Sequence, residues 1–227
     1  MNLFRRRVNT HKISYAQCGE DLIVDFIFSG LKPRSISYLD IGAHHPTHLS
    51  NTYLFYQKGL RGVCVEPDVS LFHEIRRVRK RDLCLNVGVG VGGDATADFY
   101  VMGDKALNTF SRDEAMRNEQ ERGQKIEQVI SLPLLPVNDV IRQHFASPPN
   151  FISLDVEGLD LEVLQSFDFE LYRPQIFCVE TLTYVESGIA RKITEISDLM
   201  MSKGYFAYAD TYVNTIFVDQ GAWANRS

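Results

Sequence analysis

The sequence predicts an α/β protein with a mostly parallel sheet and helices on both of its faces. Short apolar runs that suit buried strands alternate with segments whose apolar residues recur at helical spacing. Such alternation is typical of parallel strands, because parallel neighbours need a long crossover between them. The last two apolar runs are joined through Ala209-Asp210 alone, which predicts an antiparallel hairpin at one edge of the sheet. We expect a single domain over 1–227, because 227 residues is a typical length for one domain, and the chain shows no internal repeat.

The first part of the chain predicts strands over 36–41, 62–66 and 83–87, with a helix before each of them. Each helix begins at a residue that can cap it or that places negative charge in its first turn: Glu20 and Asp21 for a helix over 17–30, Ser50 or Asn51 for a short helix ending near Gly59, and Asp68 for a helix that carries Leu71, Ile75 and Val78. We expect residues 1–33 to form an N-terminal helical cap segment.

The middle of the chain departs from this rhythm. Predicted strands over 97–102 and 125–134 flank a polar stretch over 106–123. We therefore predict a hairpin or lid insertion over about 97–135 with a mobile tip.

The alternation then resumes to the end of the chain. The predicted elements are a short helix capped by Asn138, a strand over 151–156, a helix over 159–167, a strand over 175–180, a helix over 189–203 and strands over 205–209 and 211–218.

Acidic residues end the first two predicted strands. Asp40 is followed by Gly42, and Glu66 ends the second strand, a pattern typical of the first half of a nucleotide-binding βαβ unit. Glycine allows close approach of the backbone, and the second carboxylate can accept hydrogen bonds from a ribose diol. The glycine-rich dinucleotide motif is absent, and Asp40 would repel a pyrophosphate. The pattern favours a cationic adenosyl ligand, S-adenosylmethionine, although Asp40 could instead cap the following helix.

Five segments in order resemble a known family: SYAQCGED (14–21), LDIGA (39–43), SNTY (50–53), VEP (65–67) and ISLDVEG (152–158). Together they are similar to the FkbM family of S-adenosylmethionine-dependent methyltransferases. The resemblance implies a class I methyltransferase fold, Rossmann-like, with seven strands in the order 3-2-1-4-5-7-6. It also implies methyl transfer, most often to an oxygen of a sugar, polyketide or similar metabolite. The middle segment departs from the family pattern, which leaves the acceptor open between small molecules and glycans.

The matched positions and the strand ends predict the residues that bind the cofactor. They are Gln17, Asp40, Gly42, Ala43, Asn51, Glu66, Pro67, Asn86, Val87 and Asp155. By the resemblance, Gln17 belongs to a leading segment that folds over the site. Glu20 and Asp21 belong either to that segment or to a capped surface helix.

Methyl transfer to a hydroxyl benefits from a base. The predicted catalytic residues are Asp155, His45 and Glu157, with Asp155 preferred. Asp155 and Glu157 are two positions apart at a strand end, so both can face one cleft. Glu157 could instead bind a backbone turn, and His44 and His45 could be hydrated loop residues.

Two other function classes stay open at this point. His44, His45, Asp155 and Glu157 could hold a divalent metal, either in a metal-dependent hydrolase or as an aid to methyl transfer, although we assign no metal site. The sheet could also belong to a catalytically inactive nucleotide-binding module. The acidic strand ends argue against that alternative.

Composition limits the partners and the location. A net charge of −5 argues against nucleic acid as a partner, and the basic clusters at 5–7 and 76–81 are interpreted as a solvated tail and a solvated helix face. The four cysteines form no CxxC pair, and three lie in apolar runs typical of buried thiols. No apolar run has the length of a signal peptide or a membrane span, so we expect a cytoplasmic protein. A homo-oligomer is a further expectation.

Overall fold

The computed structural model describes residues 11–91, 95–183 and 191–226. Its helices are α1 (Glu20–Leu31), α2 (Tyr53–Gln57), α3 (Val69–Val78), α4 (Arg112–Arg122), α5 (Val137–His144), α6 (Asp160–Ser166), α7 (Thr194–Ser202) and α8 (Gln220–Ala224), with a 3₁₀ turn at Lys105–Leu107. Its strands are β1 (Ser37–Ile41), β2 (Arg61–Val65), β3 (Leu83–Leu85), β4 (Gly88–Gly90), β5 (Thr96–Met102), β6 (Ile126–Pro136), β7 (Phe151–Leu154), β8 (Ile176–Glu180), β9 (Leu182–Thr183), β10 (Arg191–Lys192), β11 (Tyr205–Asp210) and β12 (Asn214–Asp219).

The main sheet has seven strands in the order β3-β2-β1-β7-β8-β12-β11. β3, β2, β1, β7 and β8 run parallel, whereas β12 is antiparallel to both β8 and β11. This is the expected 3-2-1-4-5-7-6 order, so the class I methyltransferase fold is confirmed. The carboxyl ends of β1, β2, β7 and β8 consequently meet at one edge of the sheet.

Alternate residues of each strand pack into two separate hydrophobic layers, because successive side chains of a strand point to opposite faces. On one face, Leu39 and Ile152 pack with the apolar residues of α5, α6 and α7. On the other face, Tyr38 and Phe151 pack with those of α1 and α2. The sheet is therefore covered on both faces, as the alternation of elements predicts.

The insertion consists of a long hairpin and a helix. β5 and β6 pair antiparallel from Thr96↔Pro133 to Met102↔Ile126, and β4 pairs parallel with β6. β5 and β6 lie in the region where a hairpin or lid insertion is predicted, over about 97–135, and the polar stretch between them contains the helix α4. The apolar pattern gives no signal for α4, because only Ala115 and Asn118 of this helix are buried.

Several predicted element ends are wrong. The hairpin of β11 and β12 turns through Thr211, Tyr212 and Val213, not through Ala209-Asp210, which belong to β11. Asn138 lies inside α5 and binds Ser166 O and Asp168 N instead of capping the helix.

A helix is predicted over 189–203, but the observed helix α7 spans only Thr194–Ser202. The short helix α8 is not predicted. Residues 1–10 of the predicted cap segment and residues 189–190 of that helix lie outside the described residues.

Two smaller expectations concern membrane spans and cysteines. In the part of the chain that the structure describes, no helix is both long and apolar enough to cross a membrane. All four cysteines are free, and Cys64 and Cys178 are buried as expected.

Gly62 provides a test of how tightly β1 and β2 pack. A Cβ on Gly62 would lie 2.1 Å from Cδ2 and 2.5 Å from the carbonyl oxygen of Tyr38, its partner in the register. We expect Gly62→Ala to lower the free energy of unfolding by roughly 1–3 kcal/mol, the usual cost of overpacking.

Urea denaturation measures this change, with Gly30→Ala as the matched control. Gly30 lies in α1, and its added Cβ would meet nothing closer than the Trp223 ring at 3.7 Å. That substitution should leave stability unchanged or raise it by about 0.5–1 kcal/mol, because alanine favours helix. Equal effects of the two substitutions would contradict the tight packing.

Candidate active site

A cavity of about 480 Å³ lies at the carboxyl edge of the sheet. Its floor is formed by the ends of β1, β2, β7 and β8, and one wall is formed by the insertion, from Asp104 to Phe110 with Arg122 and Gln124. Its size falls in the range of pockets that hold small molecules. Ligands bind at this edge in parallel α/β sheets generally.

Most predicted site residues line this cavity. They include every predicted cofactor-binding residue except Asn86, together with Glu157 from the predicted catalytic set. Asn86 instead donates its side-chain N–H groups to the carbonyl oxygens of Glu66 and Pro67, at 2.9 and 2.8 Å. It stabilises the turn after β2 from behind.

Gly42 is required by the backbone geometry of the site. Its φ is +76°, and a Cβ built there would lie 1.7 Å from the carbonyl oxygen of Asp155. The N–H groups of Gly42 and Ala43 both donate to Val65 O, at 3.0 and 3.1 Å. Only glycine allows β1, β2 and the end of β7 to come this close.

Glu66 is held by two backbone donors at the end of β2. Its carboxylate accepts from His44 N at 2.7 Å and from Asp68 N at 2.8 Å. Burial raises the pKa of Glu66 to about 8, and the two backbone hydrogen bonds oppose this rise. The carboxylate is thus oriented in the cavity wall, where it can accept further hydrogen bonds.

Asp40 belongs to a buried ionic network. Its Oδ2 accepts from the hydroxyl of Thr52 and lies 3.5 Å from Nη1 of Arg79. Burial raises the pKa of Asp40, whereas the Arg79 guanidinium lowers it. The alternative role of Asp40 as a helix cap is not seen, since Asp40 binds the Thr52 side chain and not a backbone N–H group. The solvated-face interpretation of 76–81 is wrong for Arg79, which is fully buried.

The leading segment is fastened over one side of the cavity. Glu20 and Asp21 are both buried, so they do not lie on a surface helix face. Asp21 accepts from Ser14 Oγ and Tyr15 N at 2.6 and 2.7 Å, and Glu20 accepts from Thr211, Asn214 and Cys18. These contacts bring Gln17 into the cavity wall, as the resemblance implies.

Three carboxylates from the ends of β7 and β8 converge in the cavity. One oxygen from each of Asp155, Glu157 and Glu180 lies within 4.8 Å of the other two. Burial, and next the charge of Asp40, raises the pKa of Asp155 to about 6. Burial and the charge of Asp155 raise the pKa of Glu157 and Glu180 well above their ordinary values. Such a cluster can hold a proton at neutral pH or share a divalent cation.

The two histidines after β1 have different places. His44 lines the cavity, and burial lowers its pKa. His45 does not line it, and its Nδ1 accepts from the N–H groups of Thr47 and His48 at 3.2 and 2.9 Å. The geometry therefore favours a turn-forming role for His45 over the predicted role as a base.

Sequence reasoning missed two parts of the site. Glu180 was placed at a strand end but was not assigned a role, because its position beside Asp155 depends on the register of β7 and β8. The helix α4 has a sequence signal that was overlooked. Ser111 and Glu114 fit a capping box, and Ser111 Oγ accepts from Glu114 N at 3.2 Å.

The buried carboxylates predict an unusual dependence of stability on pH. Asp160 is 2% exposed, and burial, followed by the charge of Asp155, raises its pKa from 3.8 to about 7. From about pH 4 to about pH 7 the folded chain therefore holds a proton that the unfolded chain releases. The stability from this group is complete below its unfolded pKa and is lost as the pH rises through about 7.

We expect Asp160→Asn to reduce the fall in the free energy of unfolding across this interval. Urea denaturation in a series of buffers measures the slope, and Asp198→Asn, on the exposed side of α7, should leave it unchanged. An unaltered slope in Asp160→Asn would show that Asp160 does not take up this proton.

No curated protein is significantly similar to the chain in sequence. Several solved structures have a backbone similar to that of this chain. An O-methyltransferase from Bacillus cereus in complex with SAH has 12% identity and a TM-score of 0.46, covering 92% of this chain and 82% of that one. A TehB-like SAM-dependent methyltransferase from Corynebacterium glutamicum has 9% identity and a TM-score of 0.44, covering 88% and 87%.

At these scores the solved structures carry no inference about this chain, and its fold follows from the strand order given above. The family model for the methyltransferase FkbM domain matches residues 40–207. This range includes Asp40 and Gly42 at the end of β1 and the carboxylates Asp155, Glu157 and Glu180. The chain belongs to the FkbM methyltransferase family, with S-adenosylmethionine as its cofactor.

Proposed function

We propose that the protein transfers a methyl group from S-adenosylmethionine to a hydroxyl oxygen of a small molecule or of a sugar in a glycan. One observation carries this proposal: the carboxylate cluster of Asp155, Glu157 and Glu180 lies in the same cavity as Gly42 and Glu66. A donor bound at Gly42 and Glu66 therefore lies in the same cavity as groups that can accept a proton.

The residues at the β1 and β2 ends suit the cofactor. Glu66 presents an oriented carboxylate to a ribose diol, and Asp40 presents one to a cationic group. Pro67 and Val87 offer apolar surface beside them for an adenine ring. S-adenosylmethionine supplies a methyl group that its sulfonium charge has already activated. The chain must then align the acceptor with that methyl group and exclude water.

The lining of the acceptor side favours a hydroxylated molecule. Gln124 offers an amide group and Phe110 offers aromatic surface, whereas the side chains of Asn108 and Thr109 are hydrogen-bonded within the protein. Sugars match such a surface, because their hydroxyl groups bind polar side chains while their C–H faces pack on rings. This mixture supports the proposed acceptor class.

Asp155 is the proposed base. Its pKa of about 6 leaves it ionised in neutral solution, and a carboxylate with a raised pKa is a stronger base than an ordinary one. Glu157 and Glu180 beside it can hold or pass on the proton. His45, whose Nδ1 already accepts two hydrogen bonds, is not proposed for this role.

A metal-dependent hydrolase receives less support. It would need His45 in the ligand set, but the His45 ring does not line the cavity. A divalent cation held by the three carboxylates could also assist methyl transfer, and addition of a chelator tests this alternative. The cytoplasmic location and the possible homo-oligomer stay predictions.

The test of the proposed base is Asp155→Asn. We expect release of S-adenosylhomocysteine with hydroxylated acceptors to fall by about 10²–10⁴-fold, the usual contribution of a positioned base, while cofactor affinity changes little. Turnover with a panel of sugars and phenols, beside amines of similar size, measures the effect. Asp113→Asn, on the exposed face of α4, serves as the control.

Three outcomes would contradict parts of this proposal. Full activity of Asp155→Asn would remove Asp155 as the base. Turnover with amines but with no hydroxyl compound would contradict oxygen as the methylated atom. Loss of activity in EDTA, restored by Mg²⁺, would show that a cation and not a free carboxylate activates the acceptor.

The role of Glu66 can be tested separately. Glu66→Gln replaces one oxygen of the side chain that is proposed to receive the ribose hydroxyls by an NH₂ group, so we expect S-adenosylhomocysteine to bind roughly tenfold more weakly, the cost of about one hydrogen bond. Isothermal titration calorimetry measures the affinity, with the exposed Glu170→Gln as the control. Unchanged affinity in a folded Glu66→Gln protein would exclude the ribose role.

A further inference from the structure

The largest fully buried side chain of the described residues is an arginine. Arg79 follows α3 directly as its C-cap and has no exposed surface. A buried guanidinium is costly unless all of its donors are satisfied and its charge is balanced. Its surroundings therefore indicate what it is there to do.

The donors of Arg79 meet two carboxylates and three hydroxyl groups. Nε lies 2.8 Å from Asp82 Oδ2, and Nη1 lies 3.5 Å from Asp40 Oδ2. The hydroxyl partners are Thr52 at 2.8 Å, Tyr38 at 3.3 Å and Ser50 at 3.4 Å. One side chain thus connects the end of α3, strand β1 and the start of α2.

Only part of this network reaches the cavity. Asp40 and Ser50 line it, whereas Arg79, Thr52 and Asp82 do not. Arg79 therefore lies behind the cavity wall and has no direct access to a ligand there. Any effect of Arg79 on a ligand must pass through Asp40 or Ser50.

Asp40 is buried beside this arginine. It is 3% exposed. The acidic groups that interact with it are the carboxyl groups of Asp82, Glu66 and Asp155 and the thiols of Cys64 and Cys178. Arg79 is the cation that pairs with Asp40, and its charge lowers the pKa of Asp40 against the larger rise that burial causes. The hydroxyl of Thr52, which binds both residues, fixes the orientation of the Asp40 carboxylate.

We propose that Arg79 is a positioning residue for cofactor binding, which holds Asp40 ionised and oriented so that Asp40 can receive the α-ammonium group of S-adenosylmethionine. This inference rests on the donor-binding role proposed for Asp40. Arg79 itself touches neither the cofactor nor the acceptor. A structural role alone would make Arg79 matter for stability but not for the pH dependence of binding.

The test compares how pH affects binding of S-adenosylhomocysteine, which carries the same α-ammonium group. Without the guanidinium, the pKa of Asp40 rises, and each unit of rise weakens binding about tenfold below that pKa. We expect Arg79→Gln to bind progressively more weakly as the pH falls, and Arg79→Lys to lie between it and the wild type. Arg77→Lys, on the exposed face of the same helix, should match the wild type.

A double substitution separates positioning from general damage. Asp40→Asn should weaken binding at every pH, and adding Arg79→Gln to it should cause little further loss, since Arg79 then has no carboxylate to ionise in the cavity. If Arg79→Gln does not fold, Thr52→Val removes the hydroxyl that binds both residues, and a smaller loss in the same direction is expected.

Two results would overturn the inference. One is a loss of affinity in the folded Arg79 or Thr52 variants that is the same at every pH. The other is full additivity of the Asp40 and Arg79 substitutions. Failure of the wild-type protein to bind S-adenosylhomocysteine at all would instead contradict the cofactor assignment, so the two failures are distinguishable.

Discussion

The burial of like charges at one sheet edge is the constraint on which this site depends. The register of parallel strands brings Asp40, Glu66, Asp155 and Glu180 to the same edge, where burial raises the pKa of each. Carboxylates in this position would repel one another if all were ionised. The like charge is reduced in two ways: Arg79 pairs with Asp40, and the raised pKa values of Glu66, Glu157 and Glu180 favour their protonated forms.

This division separates two chemical tasks. On the donor side, carboxylates are oriented by an arginine, a hydroxyl group and backbone N–H groups, which suits binding of a cation and a diol. On the acceptor side, Glu157 and Glu180 have raised pKa values, which suits transfer of protons. The same residue type therefore serves binding and chemistry, and the local environment decides which.

Much of the fold and of the donor side could be predicted from the sequence. Strand ends such as Asp40 and Glu66 are recognisable because a short apolar run stops at a charged residue. Arg79 was misread because a run of basic residues on a helix indicates solvent exposure, and only the packing of α3 against β1 and α2 reveals burial. The role of Glu180 was missed because its position beside Asp155 depends on the register of β7 and β8. The helix α4 was missed because it buries almost no apolar surface.

The contact between Gly42 and the carbonyl of Asp155 links donor and acceptor sides through the backbone itself. Variation in acceptor preference is therefore easier to achieve in the insertion than in the strand ends. One side-chain link from the insertion to this edge is the hydrogen bond from Thr109 to Glu157 O. Substitutions in the insertion can therefore change the lining of the cavity without altering the contact between Gly42 and Asp155.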